Sequence, residues 1–284
     1  MVNAFVQRHL KWLAPLGLAF FVSACSNSAE METLQGEVMG FEYELMYLPA
    51  HPNHTESRIS QRVQGIMQYV GMQFSVTHPH SEIARFNEWR STEPLVLTRE
   101  LEGLLRQGLQ LHEVSNGEIQ LFVSEREAET PRVYIRNHQI VKSDPSVQVD
   151  LDGLLRGHMA DRIADIFDLM NIQQYSVRVG QDYRVRAGKR GRQRPALTWD
   201  EVPDLSLQVR EGAVSTRTTE TGDFVIVLHE SAAISEALTR WFAGGDYERA
   251  LATTEQHGIA AAVFVREDSG ITRYNNAAFN AIVL

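Results

Sequence analysis

Apolar residues recur along this chain with two periods that follow one another irregularly. Between residues 56 and 72, Ile59, Val63, Ile66 and Val70 are separated by steps of four and three, which puts them on one face of a helix. A second helix is expected from a Thr98 cap, whose hydroxyl can accept a free N–H of the first turn. It runs through Leu101, Leu104, Leu105, Leu111 and Val114 and stops at Asn116-Gly117, where left-handed backbone is tolerated. A third helix spans about 154–170 with Leu155, Met159, Ile163, Ile166 and Met170 inward, and further helices fall near 231–243 and 246–256, with Gly258 as a C-cap. Elsewhere the period is two: Tyr43, Leu45 and Tyr47 within 42–48, then Val177 and Val179, then Leu205, Leu207 and Val209 before a turn expected at Glu211-Gly212. Hairpins are expected over 133–141, turning at Asn137-His138, and over 259–275, turning at Glu267-Asp268-Ser269-Gly270. Strands joined through turns, without regular strand–helix alternation, predict an α+β fold of mixed or antiparallel sheets packed with helices.

The first residues do not read as part of that fold. Arg8 and Lys11 precede an apolar run over 12–21 and the small-residue stretch Val22-Ser23-Ala24-Cys25, the pattern of a lipoprotein signal peptide over 1–24. The apolar run is shorter than the roughly 20 residues that span a bilayer. Cys25 is the only cysteine, so it makes no intramolecular disulfide and is expected to carry lipid. Residues 25–35 then read as a lipidated tether and 36–284 as one domain. The protein is expected on the periplasmic side of a bacterial membrane, held to the bilayer by Cys25 acylation. Ser26 rather than an aspartate after the cysteine points to the outer membrane. The net charge is −9 at pH 7, and removal of Arg8 and Lys11 makes it more negative. That charge argues against nucleic acid as a partner.

The stretch richest in chemistry is Val149-Asp150-Leu151-Asp152-Gly153-Leu154-Leu155-Arg156-Gly157-His158-Met159-Ala160-Asp161-Arg162-Ile163-Ala164, where an extended piece passes through a glycine turn into an amphipathic helix. Such a junction offers free backbone N–H groups, early carboxylates in Asp150 and Asp152 and a basic side chain in Arg156, a set able to hold an anion or a metal. Further motifs are Ser81-Glu82-Ile83-Ala84-Arg85-Phe86-Asn87, Gly36-Glu37-Val38-Met39-Gly40, Val214-Ser215-Thr216 and the terminal hairpin. Taken in order along most of the chain, these segments resemble the ApbE family of periplasmic FAD:protein FMN transferases.

The resemblance implies an ApbE-like fold and a lineage that binds FAD and Mg²⁺ and transfers FMN from FAD to a threonine of an acceptor flavoprotein, releasing AMP. It implies FAD contacts at Met39, Glu118, Gln120, Asp150 and Arg156, and metal ligation by the Gly153 carbonyl and the Glu236 carboxylate; it assigns no catalytic residue. The chain also departs from the family pattern. Phe41 stands for a threonine, Thr77 for an aromatic ring, Gln120 for a carboxylate and Gln181 for the second glycine of a pair. A His-x-x-Asp-Pro-x-Thr-Gly segment is missing after Thr216, and Arg240 occupies the position of a metal-binding threonine one turn beyond Glu236. A guanidinium has no lone pair to offer a cation. The expectation is a transferase activity weakened or lost, with a non-catalytic, lipid-anchored nucleotide-binding or protein-interaction module as the alternative.

Two readings of Arg156 and Arg240 stand open at this level. Together they take the place of the metal and grip an anion bidentately, or each pairs with a neighbouring carboxylate. Other groups carry less. His51 with His54, and His78 with His80, lie close in Pro-containing loops but lack an evident third zinc ligand. The basic run at 189–194 reads as a solvated turn, Trp241 and Phe242 as core, and no nucleophile elbow surrounds Ser215.

Overall fold

Alternating side chains of an antiparallel sheet, buried on both faces, form the middle of the molecule. The computed structural model describes residues 30–38, 40–76, 78–124, 132–188, 196–268 and 270–282. The expected signal peptide, Cys25, Met39, Thr77 and the basic run at 189–194 lie outside the described residues. In the first half, β1 (Glu32–Val38), β2 (Phe41–Tyr47), α1 (Glu56–Phe74), α2 (Glu82–Glu88), β3 (Leu95–Val96), α3 (Arg99–Val114), β4 (Phe122–Val123), β5 (Val133–Arg136), β6 (Gln139–Lys142), β7 (Gln148–Val149) and α4 (Leu155–Leu169) succeed one another. The second half runs β8 (Tyr175–Val179), β9 (Asp182–Arg186), β10 (Ala196–Thr198), β11 (Ser206–Gln208), β12 (Glu211–Thr218), β13 (Phe224–His229), α5 (Ala232–Phe242), α6 (Tyr247–Gln256), β14 (Ala260–Glu267), β15 (Gly270–Asn275) and α7 (Ala277–Asn280).

Eight strands form one sheet in the order β1-β2-β8-β9-β12-β13-β14-β15, and each neighbouring pair is antiparallel. Along β13, Val225 and Val227 face the larger core, shared with α1, α3, α4 and α5. Phe224, Ile226 and Leu228 face a second core with Trp199, Leu207, Phe264 and Phe279. Small antiparallel sheets, β3-β6-β5, β4-β7 and β10-β11, complete the fold. Helices packed on a large antiparallel sheet make this the α+β class expected.

Local chemistry accounts for most boundaries. The Thr98 hydroxyl accepts from Leu101 N and starts α3, and Asn116 and Gly117 take positive φ at its end. Asn137 and His138 both adopt positive φ between β5 and β6, the backbone of a tight hairpin. Two boundaries differ from the sequence reading. The fold begins at Glu32 rather than Gly36, because β1 pairs along its whole length with β2. Glu211-Gly212 is no turn: it opens β12, in register with Arg186 and Val185 of β9.

Candidate functional site

The turn that leads into α4 is fixed by one asparagine. Asn87 donates from Nδ2 to the Val149 carbonyl (3.0 Å) and accepts from the Val149 N–H (2.8 Å), engaging both backbone groups of the residue before Asp150. Asp150 Oδ1 accepts from the Asp152 N–H (2.8 Å) to form an Asx turn, while its own N–H donates to the Leu121 carbonyl. The first residues of the glycine-rich motif are thereby tied to the loop at 118–121.

Helix α5 is set against α4 with little freedom. Asp161 accepts from the Ser231 hydroxyl (2.7 Å) and from the N–H groups of Ala232 (2.9 Å) and Ala233 (3.2 Å), which seats a carboxylate on the positive end of α5. At Gly157 a Cβ would come 2.2 Å from the Ala232 carbonyl oxygen, so the two backbones meet at a distance only glycine allows. This approach brings Glu236 to α4, where Oε2 accepts from the Gly157 N–H at 2.9 Å.

Charge concentrates at this junction. Arg156 lies with Nε 3.2 Å from Asp182 Oδ2 and Nη2 3.0 Å from Glu236 Oε1. The two carboxylates are 1% and 0% exposed. Burial raises the pKa of both, the negative charge of Asp182 raises Glu236 further, and Arg156 opposes the rise in each. For Arg156 burial works against the charge, but Glu236 and Asp182 outweigh it and hold the guanidinium charged. Gly180, at φ +59°, leaves the passage for this side chain, since a Cβ there would stand 3.3 Å from Arg156 Cδ. Beneath the cluster, the Ser215 and Ser235 hydroxyls are 2.7 Å apart.

Two more arginines border the junction. Arg240 donates to the Asp152 carbonyl (3.2 Å), and its Cδ and Nε lie 3.4 Å from where a Gly153 Cβ would stand. Arg217 projects from β12 with a buried Nε that has no hydrogen-bond partner. Neither forms an ion pair with a carboxylate among the described residues.

A cavity of about 220 Å³ opens above, lined by Glu118, Gln120, Asp150, Gly153, Arg240 and Trp241 among others. Five residues singled out in the sequence therefore meet at one cavity. Arg156, partly exposed, and Glu236, buried, do not line it. Glu118 is engaged, accepting from Trp241 Nε1 at 2.5 Å and pairing with Arg249 of α6. Gln120 reaches only the Gly117 carbonyl, at 3.4 Å. Trp241, expected in the core, is half-buried and forms part of the cavity wall. Phe41 packs against the main core, and Gln181 is exposed in the β8–β9 turn.

The residues present do not fit a divalent metal. One oxygen of Glu236 is taken by a backbone N–H and the other faces a guanidinium. Arg240 packs on Gly153, whose carbonyl was the second expected ligand. No group of three or more His, Cys, Asp or Glu side chains suited to a metal occurs among the described residues, and this includes both histidine pairs. The Glu236 carboxylate expected to ligate a metal is thus engaged by protein groups. Arg156 proves to be paired with carboxylates rather than open to an anion, whereas Arg240 is not. Residues 219–223 close the β12–β13 connection on themselves, through Thr219 N to Asp223 O (2.8 Å) and Gly222 N to Thr219 O (3.0 Å). Sequence reasoning missed Asp182 and Arg217. The available signal was period two, which puts Arg217 on the same face of β12 as Ser215.

A sequence model of the ApbE family matches residues 123–217. Over 94% of this chain and 97% of its own length, an FAD:protein FMN transferase of Vibrio cholerae is 21% identical. One from Haemophilus influenzae is 20% identical over 98% and 99%. Among solved structures, the flavin transferase ApbE of Vibrio cholerae superposes with a TM-score of 0.74 at 20% identity, covering 89% of this chain and 99% of its own. The apo form of the flavinyl transferase ApbE of Pseudomonas stutzeri gives 0.77 at 18% identity, covering 90% and 98%. This chain thus matches the family's sequence model across the glycine turn and shares the fold of ApbE proteins over nearly its whole length.

Proposed function

We propose that this protein is a lipid-anchored periplasmic member of the flavin-transferase lineage in which Mg²⁺-dependent transfer of FMN from FAD is lost and the fold persists as a nucleotide-binding module. The observation that carries the reading is the Arg156 guanidinium lying across Asp182 and Glu236. Transfer of a phosphoryl-linked group requires a clamp on the pyrophosphate, a cation that takes up developing charge and a positioned acceptor hydroxyl. An internal guanidinium supplies fixed positive charge, but it cannot coordinate a substrate oxygen as a metal does. The relatives' name, FAD:protein FMN transferase, supports FAD as the ancestral ligand and a flavoprotein as the ancestral acceptor. At about 220 Å³ the cavity lies below the roughly 300–1,000 Å³ usual for pockets that bury a whole small molecule. It suits part of a nucleotide, and all of FAD only if Glu118 releases Trp241 and Arg249. The anchor rests on the sequence pattern that ends at Cys25.

The test uses the protein without residues 1–24, mixed with FAD, Mg²⁺ and the acceptor flavoprotein of an active relative, with covalent flavin fluorescence and AMP release as readouts. No labelling above the enzyme-free background is expected, while flavin fluorescence titrates saturably in EDTA. Mg²⁺-dependent labelling would overturn the reading. For the anchor, the full chain should incorporate labelled palmitate and Cys25→Ser should not; an unlabelled full chain rejects it.

A further inference from the structure

One row of backbone partners crosses five strands at one end of the large sheet. Glu32 lies opposite Tyr47, Tyr47 opposite Tyr175, Tyr175 opposite Arg186 and Arg186 opposite Glu211. The chain enters the fold at this end, since β1 starts at Glu32. Helix α4 runs from one end of the sheet to the other. Its first turn meets the far end, where Arg156 reaches Asp182 beside the β8–β9 turn. Its last turn meets the row, where Asp168 accepts from the Tyr175 hydroxyl (3.1 Å) and pairs with Arg186. A helix of 15 residues spans about 22 Å. The cavity beside Gly153, just ahead of α4, therefore lies at the far end. Leu169, the last residue of α4, lies where the chain enters and is 78% exposed, more than any other large apolar side chain among the described residues. Ile282, also exposed, opens on the same end through a cavity of about 550 Å³ that Val209 and Glu211 share.

We infer that the end carrying Leu169 is the surface this protein lays against a zwitterionic lipid bilayer, with the cavity beside Gly153 turned away from it. The inference rests on the reading that Cys25 carries lipid. Seven residue steps separate Cys25 from Glu32, a reach of at most about 25 Å. Strand β2, with seven residues, makes this part of the sheet about 20 Å tall. With the entry end toward the bilayer the tether has slack. With the opposite end toward it, the tether must lie almost straight along the sheet, which removes nearly all its conformational freedom. Apolar exposure favours the same orientation, because Leu169 leaves water on contact with lipid. Electrostatics selects the headgroups. Arg186 is spent on Asp168 and Glu211, and Glu32 adds acid, so this end offers no positive excess to anionic lipid. The cavity then opens toward solution, about one α4 length from the headgroups.

Fluorescence quenching on the acylated full chain tests the orientation. Cys25 is the only cysteine, and acylation blocks its thiol. Gln173→Cys, exposed just beyond α4, and Gln181→Cys, exposed in the β8–β9 turn, each add one labelling site. The labelled chains are reconstituted into phosphatidylcholine–phosphatidylethanolamine vesicles that contain a lipid with a nitroxide on its headgroup. Fluorescence at position 173 should be lost relative to nitroxide-free vesicles, and fluorescence at position 181 should be kept. Adding Leu169→Asp to Gln173→Cys should restore part of the lost signal. Equal quenching at the two positions, or more at 181, would overturn the orientation. Quenching at 173 that Leu169→Asp leaves unmoved would overturn Leu169 as the contact. Palmitate incorporation, measured on the same chains, separates the two failures. A chain without lipid rejects the anchor reading and this inference with it, whereas an acylated chain quenched alike at both positions rejects the inference alone.

Discussion

Two segments that both carry the family's likeness have opposite fates in this molecule. In the Ser81–Asn87 segment every matching polar side chain but one is used up inside the fold. Ser81 caps α2 through the Ala84 N–H (2.8 Å), Glu82 accepts from the Thr98 N–H (2.7 Å) and hydroxyl (2.6 Å), and Asn87 clamps Val149. Arg85 alone is exposed. On α5, by contrast, charged side chains stand at or beside the cavity: Arg240 forms part of its wall and Glu236 is covered by Arg156. One segment is consumed by the architecture, and the other keeps charge beside the cavity. Likeness over the whole length therefore reports on scaffold, and only the residues around the cavity report on activity.

The strongest way to break this comparison is to remove the internal cation. Arg156→Ala would leave Asp182 and Glu236 buried beside one another without a counter-charge, a loss of about 3–5 kcal/mol by analogy with other broken buried pairs. Burial already raises both folded carboxylates above their unfolded values, so the folded state takes up protons first. The stability tied to them is present in acid and lost as pH rises toward neutrality. The variant should accordingly regain stability as pH falls toward the ordinary carboxylate range, and should gain Tm on addition of Mn²⁺. The wild type should ignore Mn²⁺. A wild-type Tm that rises with Mn²⁺ as much as the variant's would show that Arg156 does not replace a metal.

A milder perturbation acts on the scaffold. Glu82 is buried and accepts from Thr98 and Gln73, so Glu82→Ala should cost about 2–3 kcal/mol through the donors it abandons. Asn87→Ala, which removes two bonds to Val149, should cost about 1–2 kcal/mol. Chemical denaturation measures both.

Much of the scaffold was readable before folding because its signals are local. The Thr98 cap, the Asn116-Gly117 stop and the Asn137-His138 turn each act within a few residues. Strands β9, β12 and β13 were not readable in the same way. β13 is buried on both faces, so Phe224 to Leu228 shows an unbroken apolar run with no alternation to count. The site was half legible: Glu118, Gln120, Asp150, Gly153 and Arg240 do meet at one cavity. What the chain could not disclose is who pairs with whom. Asp182, from a strand with no motif, decides the state of Arg156, and that decision depends on the approach of β8–β9 to α4.

The comparison can be sharpened on a second buried cation, which the scaffold neutralises in another way. Lys142, at the end of β6, donates from Nζ to the carbonyls of Phe86 (2.7 Å) and Trp89 (2.8 Å) and lies 4.3 Å from the centre of the Phe86 ring. It closes the C-terminal end of α2, where carbonyl dipoles favour positive charge. No carboxylate pairs with it among the described residues. Burial, and then the charge of Arg90, lower its pKa to about 8, whereas Arg156 is held charged by its two carboxylates. The sign of the consequence follows. Between about 8 and the ordinary lysine value of about 10.4 the unfolded chain binds more protons than the folded one, so stability attributable to Lys142 grows as pH rises across that window. Lys142→Met should remove this rise, flattening the difference in Tm between pH 7.5 and pH 9.5 by about 2–4 °C, the shift expected for an effect near 1 kcal/mol in a chain of this size class. Arg156→Ala should leave this alkaline slope in place, because carbonyls hold one cation and carboxylates the other. A slope abolished equally by both substitutions would mean that the two regions share one electrostatic unit and that the division between scaffold and site does not hold.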